Sequence, residues 1–239
     1  MTTATCLPQT LSPEAVPWRL ASADPWKVCF VIPPSEFLLD ERVFPSLGVL
    51  KVAAALEAAG HAVDVLDLSG VKNYVQAIEH AITKNNYNAV GITVTTPQLP
   101  SVFKIRERLR DLQPKLRLIL GGAHVTLSYS GREQERKIGV TYGRAGNAVQ
   151  KLEDNFDVLC AGDGEVTIFK ALQDNPPKFI NGDDNKSEMF LTDELYETTP
   201  PPARHLIDLS TYKYDVEGFS ATSLIAQLGC PFFCGFCGG

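Results

Sequence analysis

Hydrophobic residues in this chain gather in short continuous runs, separated by longer stretches in which they recur every three or four positions. The first run, Val28, Cys29, Phe30, Val31 and Ile32, has strand length, and Pro33 and Pro34 end it because proline brings no amide hydrogen to a ladder. A run without polar alternation is buried on both faces, as parallel strands are. After a loop through residues 36–44, Ser46 can cap a helix over 47–59, with Leu47, Leu50, Ala54 and Leu56 on its apolar side and Gly60 as terminator. Residues 62–66 predict a second strand, 74–84 a helix and 89–94 a third strand. Val102, Ile105, Leu109 and Leu112 share one helical face, and Pro114 closes that helix. Residues 116–120 predict strand four, running into Gly121 and Gly122, and 131–155 read as a polar insertion. Residues 156–160 supply strand five, after which Gly162, Asp163, Gly164 and Glu165 open a helix over 166–172.

Strands alternating with helices at this spacing predict an α/β fold, a doubly wound, parallel, five-stranded Rossmann-like sheet that binds its ligand at the carboxyl ends of the strands. It occupies residues 26–175, behind an irregular, proline-marked leader over 1–25. Residues 176–218, rich in Pro, Asp, Asn and Thr, read as a linker with a short hairpin and Tyr212, Lys213 and Tyr214. A further unit begins at 219–239, where 223–228 read as a buried strand.

Composition narrows the chemistry. The 239 residues are 44% hydrophobic, ample for a core, and the formal charge of −6 argues against nucleic acid or an anionic membrane as the main partner. Arg106, Arg108, Arg110, Lys115 and Arg117 are interleaved with Glu107 and Asp111, the pattern of a solvated helix face. No secretory leader and no apolar stretch of membrane length is present in the sequence, so a cytoplasmic protein with reduced cysteines is expected. Cys29 and Cys160 sit inside apolar runs, as core fillers do. Neither G-x-G-x-x-G after the first strand, where Pro33, Pro34, Ser35 and Glu36 stand, nor a phosphate-binding P-loop occurs. The glycines come late, after strands four and five, where close backbone approach lets a broad flat ligand rest on the sheet edge.

The strongest chemical signal is Cys230, Cys234 and Cys237, with Pro231 and Gly235 between them. Three thiols at C-x3-C-x2-C spacing can turn toward one point, and thiolates select iron–sulfur clusters, zinc or copper. A structural zinc wants a fourth protein ligand, and the nearest histidine, His205, lies far upstream. A 4Fe-4S cube held by three cysteines keeps one iron free.

This run resembles the signature of the radical S-adenosylmethionine superfamily, with Phe236 in its aromatic slot and Leu228 where many members carry arginine. The resemblance implies that Cys230, Cys234 and Cys237 ligate a 4Fe-4S cluster, whose free iron binds S-adenosylmethionine and reduces it to a deoxyadenosyl radical. Upstream, Pro45-Ser46-Leu47-Gly48-Val49-Leu50, Gly121-Gly122-Ala123-His124-Val125-Thr126 and Gly162-Asp163-Gly164-Glu165-Val166-Thr167 are similar, in this order, to the motifs of the cobalamin-binding domain that precedes the barrel in cobalamin-dependent radical S-adenosylmethionine enzymes. The likeness implies a corrin over the strand ends, touched by Ser35, Thr93, Thr95, Thr96, Gly121, Gly122, His124, Thr126, Gly162, Gly164 and Glu165. Read as plain residues, the threonines serve equally as strand-end caps, His124 as a structural residue and Glu165 as a helix N-terminal anion. The D-x-H-x-x-G pattern that supplies a cobalt-binding histidine is missing around His61, His80, His124 and His205.

The family implies methyl transfer to a small-molecule substrate, with ring closure or contraction in some relatives, and an external electron donor of the flavodoxin or ferredoxin type. A (β/α) barrel needs well over 100 residues beyond Gly239 at about 30 per unit, so the chain reads as the front half of an enzyme, expected to be inactive alone. Three readings stand beside it: a radical tRNA methylthiotransferase, disfavoured by the acidic charge; a non-catalytic cobalamin-binding module; and a flavodoxin-like domain with a small zinc loop.

Overall fold

The computed structural model describes residues 16–19, 24–38, 40–141 and 143–225. The terminal cysteines and Phe236 lie outside the described residues. Six parallel strands form one sheet: β1 (Lys27–Ile32), β2 (Ala62–Asp67), β3 (Ala89–Thr93), β4 (Arg117–Gly121), β5 (Val158–Gly162) and β6 (Phe179–Gly182), in the order β2-β1-β3-β4-β5-β6. The continuous apolar runs occupy the centre: β1, β3 and β5 are buried on every residue but one and β4 at its middle three, whereas the edge β2 is buried only at Val63 and the edge β6 at Ile180 and Gly182.

Helices cover both faces. On one lie α2 (Tyr74–Lys84), α3 (Leu99–Leu112), α4 (Ala123–Lys137) and α5 (Arg144–Asn155), whose Ile78, Ile82, Ile105, Leu109, Val125 and Leu152 meet Val90, Ile92 and Leu118 of the sheet. On the other, α1 (Leu47–Ala58) and α6 (Gly164–Ala171) place Val49, Ala53, Leu56 and Ile168 against Val28, Phe30, Ile119 and Cys160. A third layer crosses α1 and α6 from outside. Val16, just before a 3-10 turn at Pro17–Arg19, and Trp18 within it pack with Leu191 and with Leu195 of α7 (Asp193–Thr198) against Ala55 and Val166. A hairpin of β7 (Asp215–Val216) and β8 (Phe219–Ser220) follows.

Four expectations are corrected. The sheet has six strands rather than five, and the sixth comes from residues 176–218, read as linker; β6 was passed over because only Ile180 and Gly182 of its four residues are buried. Residues 131–155 are no polar insertion but the end of α4 and all of α5; each helix needs so narrow an apolar face that Val125, or Val149 and Leu152, suffice. Strand five begins at Val158, since Phe156 closes α5. Of residues 223–228, read as a buried strand, 226–228 lie outside the described residues, while 223–225 form no strand and Leu224 is exposed. Ser46 does stand at the helix start, but without a side-chain capping bond, and Gly60 ends that helix at φ +86°.

The interleaved basic run folds into its own molecule. Arg108 pairs with Glu79 and Arg110 with Asp157, while Arg106 donates to the carbonyl of Asn155 and Arg117 to those of Ala171 and Gln173.

Candidate functional site

The sheet order reverses at β1 and β3: the chain leaves β1 for β2 on one side and returns to β3 on the other. Helices leaving neighbouring strands in opposite directions open a crevice there, at the carboxyl edge. A cavity of about 220 Å³ occupies that place, between the sheet and α1 and α6. Its floor is Phe30, Gly91, Ile92, Thr93, Ile119, Gly121 and Cys160, its far wall Val49, Val52 and Ile168, and its rim Tyr196 and Ile225.

Glycines shape it. Gly122 holds φ +98°, and a Cβ there would stand 2.7 Å from Thr93 Oγ1 and 2.8 Å from the Val94 nitrogen. Gly91 lets the Phe30 ring lie flat on the sheet, 2.6 Å from where a Cβ would sit, and Gly164 lets the Val52 methyls reach the start of α6. Gly162, at φ +78°, turns β5 against Gly182 and Asp183.

Polar side chains collect at the end formed by α1 and α6. Glu165, 6% exposed, accepts from its own amide and that of Gly164, and burial pushes its carboxyl up to about 6, Asp163 adding to the effect and Lys51 opposing it. Lys51, 7% exposed, donates to the Thr199 hydroxyl and the Pro200 carbonyl (3.2 Å) and lies over the Tyr196 ring at 4.5 Å. Burial lowers its ammonium from the ordinary lysine range. Asp163 is raised by burial and by Asp183, and the Thr167 hydroxyl donates to the Asp163 carbonyl at 3.1 Å. The Cys160 thiol, closed in by the protein, is pushed up to about 12 and is un-ionised at neutral pH.

Of the residues singled out in the sequence, Thr93, Gly121, Gly122, Gly162, Gly164 and Glu165 come together around this cavity. The others stand on the same edge outside it. The Ser35 amide donates to Glu41 at 2.5 Å and its hydroxyl accepts from the Phe37 amide at 3.2 Å, which folds the loop after β1 on itself. Thr95 and Gln98 form a capping box, and Thr126 Oγ1 accepts from the Gly162 amide at 3.0 Å, tying α4 to β5. His124, lowered by burial, has Nδ1 at 2.9 Å from Thr96 Oγ1 and Nε2 at 3.4 Å from Ser128 Oγ, so both ring nitrogens are engaged by hydroxyls. His61 accepts from the Trp26 amide and His205 faces Glu57, both away from the cavity lining.

Sequence reasoning passed over Phe30, Lys51, Val52, Gly91 and Tyr196. Lys51 had a signal: a lysine amid the apolar residues 49–56 is out of place on a core-facing helix. Tyr196 had none, because nothing in the sequence ties residue 196 to residue 51.

Residues 41–153 match the family model of the B12 binding domain. Among curated proteins, the chain is 25% identical over 226 residues to an uncharacterized methyltransferase of Pyrococcus horikoshii, covering 88% of this chain and 45% of that protein. It is 26% identical over 218 residues to the anaerobic magnesium-protoporphyrin IX monomethyl ester cyclase of Synechocystis sp., covering 84% of this chain and 39% of that one. The chain thus spans less than half the length of these relatives. Among solved structures it is similar to the radical S-adenosylmethionine methyltransferase TsrM of Kitasatospora setae with cobalamin and a 4Fe-4S cluster bound, at 20% identity and a TM-score of 0.37, over 44% of this chain and 19% of that one.

Proposed function

We propose that the chain, whose residues 41–153 match the family model of the B12 binding domain, is the corrinoid-holding part of a cobalamin-dependent radical S-adenosylmethionine enzyme, foremost a methyltransferase acting on a small molecule. The observation that carries this reading is the glycine-shaped apolar cavity at the sheet's switch point, within reach of the matched segment. A corrin macrocycle with its fringe of amides is far too broad for about 220 Å³. The flat base of cobalamin's nucleotide appendage suits that space, between the Phe30 floor and the Val52 wall. The loops at Ser35, Thr93 to Thr96, Gly121 to Thr126 and Gly162 to Glu165, on the carboxyl edge, would supply backbone amides, carbonyls and hydroxyls to hold the macrocycle's amides. His124 lends shape rather than a cobalt ligand, since using either nitrogen would break a bond to Thr96 or Ser128.

Bound cobalamin supplies methyl transfer, and a 4Fe-4S cluster with S-adenosylmethionine supplies the substrate radical. In this chain Cys230, Cys234 and Cys237 would hold that cluster, with Phe236 as a further cofactor-binding residue. The enzyme works in the cytoplasm with a flavodoxin- or ferredoxin-type donor. The resemblance to the Synechocystis cyclase favours a second reading, ring closure, on the same cofactors. No helix among the described residues is long and apolar enough to cross a membrane.

The test is reconstitution without oxygen. The chain is expected to retain hydroxocobalamin through gel filtration, with its corrin absorbance shifted, and to bind iron that is lost when all three terminal cysteines become alanine. Unshifted corrin that washes away would refute the cobalamin assignment, and iron unaffected by the substitutions would refute the cluster.

A further inference from the structure

We propose that Tyr196 and Ile225 retain the base of the corrinoid by closing the cavity's mouth behind it, so that release is governed by a tract of chain outside residues 41–153. The inference rests on the cobalamin reading and adds to it the contact that decides how long the cofactor stays.

The floor and walls of the cavity come from the sheet, α1 and α6, but its rim comes from Tyr196 of α7 and from Ile225. The chain thus leaves the mouth at one rim residue and returns to it at the other. Along the way it is pinned three times. The Tyr196 carbonyl accepts from the Thr199 amide at 3.0 Å and from the Thr199 hydroxyl at 2.7 Å. The Lys213 amide donates to the Arg42 carbonyl at 2.9 Å, the Tyr212 hydroxyl donates to Asp67, and the Tyr214 ring meets that of Phe44 at 4.5 Å. Arg204 donates to the Ser223 carbonyl at 2.9 Å, two residues before Ile225.

Lys51 fixes the Tyr196 ring itself. It lies in the cavity lining on α1, 7% exposed, and a lysine so buried needs partners. Its nitrogen lies 4.5 Å from the centre of the Tyr196 ring and donates to the Thr199 hydroxyl and to the Pro200 carbonyl at 3.2 Å. A cation against the electron-rich face of a ring holds that face in place. Leu195, 2% exposed, anchors the same turn of α7 in the apolar layer over Ala55 and Val166. The ring is therefore a fixed side of the opening, and moving it aside breaks its contact with Lys51.

Tyrosine suits such a rim, with a flat apolar body for a flat base and a hydroxyl that can face water. Ile225, 41% exposed, has apolar surface that a seated base would cover. To leave, the base must uncover that surface and displace the ring. Both costs fall on departure, the step in which related complexes mostly differ. Cobinamide, a corrinoid without a base, has nothing for the two residues to retain.

The experiment times release from the full chain reconstituted without oxygen, using radiocobalt-labelled hydroxocobalamin chased with the unlabelled compound, and labelled cobinamide chased likewise. The wild-type chain is expected to release hydroxocobalamin more slowly than cobinamide. Tyr196→Ala should release hydroxocobalamin about tenfold faster or more, without slowing its uptake, and should leave cobinamide release unchanged. Tyr196→Phe, which keeps the ring, should behave as wild type, and Ile225→Ala should hasten the release of hydroxocobalamin alone. Lys51→Met keeps the aliphatic stem and removes the cation against the ring; it should do the same, and it decides the matter if Tyr196→Ala does not fold. Hydroxocobalamin released at the wild-type rate by the deciding variant would overturn the inference. So would equal acceleration of both corrinoids, the sign of a loosened fold rather than of a lost contact with the base. If the wild-type chain keeps both corrinoids equally long, the cobalamin reading stands and retention of the base falls; if it keeps neither, both fall.

Discussion

Gly122 and Glu165 bracket the cavity and are constrained for opposite reasons, one by the backbone and one by solvent. At Gly122, φ of +98° combines with a would-be Cβ pressed between Thr93 Oγ1 and the Val94 nitrogen, so no side chain fits without moving β3. Gly122→Ala is expected to destabilise the fold by about 1–3 kcal/mol, read as a lower urea midpoint at unchanged slope. Gly91→Ala differs, because its Cβ would meet only the edge of the Phe30 ring. That ring can turn into the cavity, so the expected outcome is near-native stability with corrinoid affinity reduced by tenfold or more. Glu165 makes a pH-dependent prediction. Its folded carboxyl holds a proton more tightly than the ordinary group at 4.5, so ionisation opposes folding: the penalty is absent below pH 4.5 and complete above about 6. Glu165→Gln should leave stability unchanged at pH 4 and raise it at pH 7.5, on the order of 2 kcal/mol, in paired urea titrations.

Among the elements, α1 and α6 close the cavity, and a strap of chain from 189 to 206 holds them down. Leu191 and Leu195 pack on Ala55 and Val166, the Ala203 amide donates to the Leu50 carbonyl at 3.0 Å, and Lys51 anchors Thr199 and Pro200. Trp18 locks the strap from the amino-terminal side, 3% exposed, its Nε1 donating to the Thr198 carbonyl at 3.2 Å. Trp18→Ala should cost about 3–5 kcal/mol, the usual range for a buried aromatic reduced to alanine. Amide exchange should accelerate first in residues 191–203 rather than in the central strands, and uniform acceleration would show that the strap is no separate layer.

At the scale of the whole molecule, β6 joins the sheet and the strap packs on α1 and α6, so residues 176–206 are built into the same fold. A chain ended after residue 175 loses β6 and leaves the backbone of Leu159 to Gly162 unpaired along an apolar edge. Such a chain is expected to run as aggregates in gel filtration and to melt without a cooperative transition, whereas one ended after 225 should stay free of aggregates and melt cooperatively. An unaggregated, cooperatively melting 1–175 fragment would show β6 to be dispensable.

The sequence by itself determined the alternation of β1 to β5 with helices in a doubly wound parallel sheet, since runs such as Val28 to Ile32 suit strands buried on both faces, whereas the order of the strands came from the structure. It marked the glycines at 121–122 and 162–164, of which Gly122, Gly162 and Gly164 would each bring a Cβ within 3.0 Å of a neighbour. It could not reveal β6, whose two buried residues carry too little apolar pattern. It could not reveal α5 either, where Val149 and Leu152 are the whole buried face. Only the tertiary structure brought Lys51, Glu165 and Tyr196 to one end of one cavity. Periodicity records which face of an element is buried, whereas the partner it meets there depends on chain crossings more than 100 residues apart, as between 51 and 165.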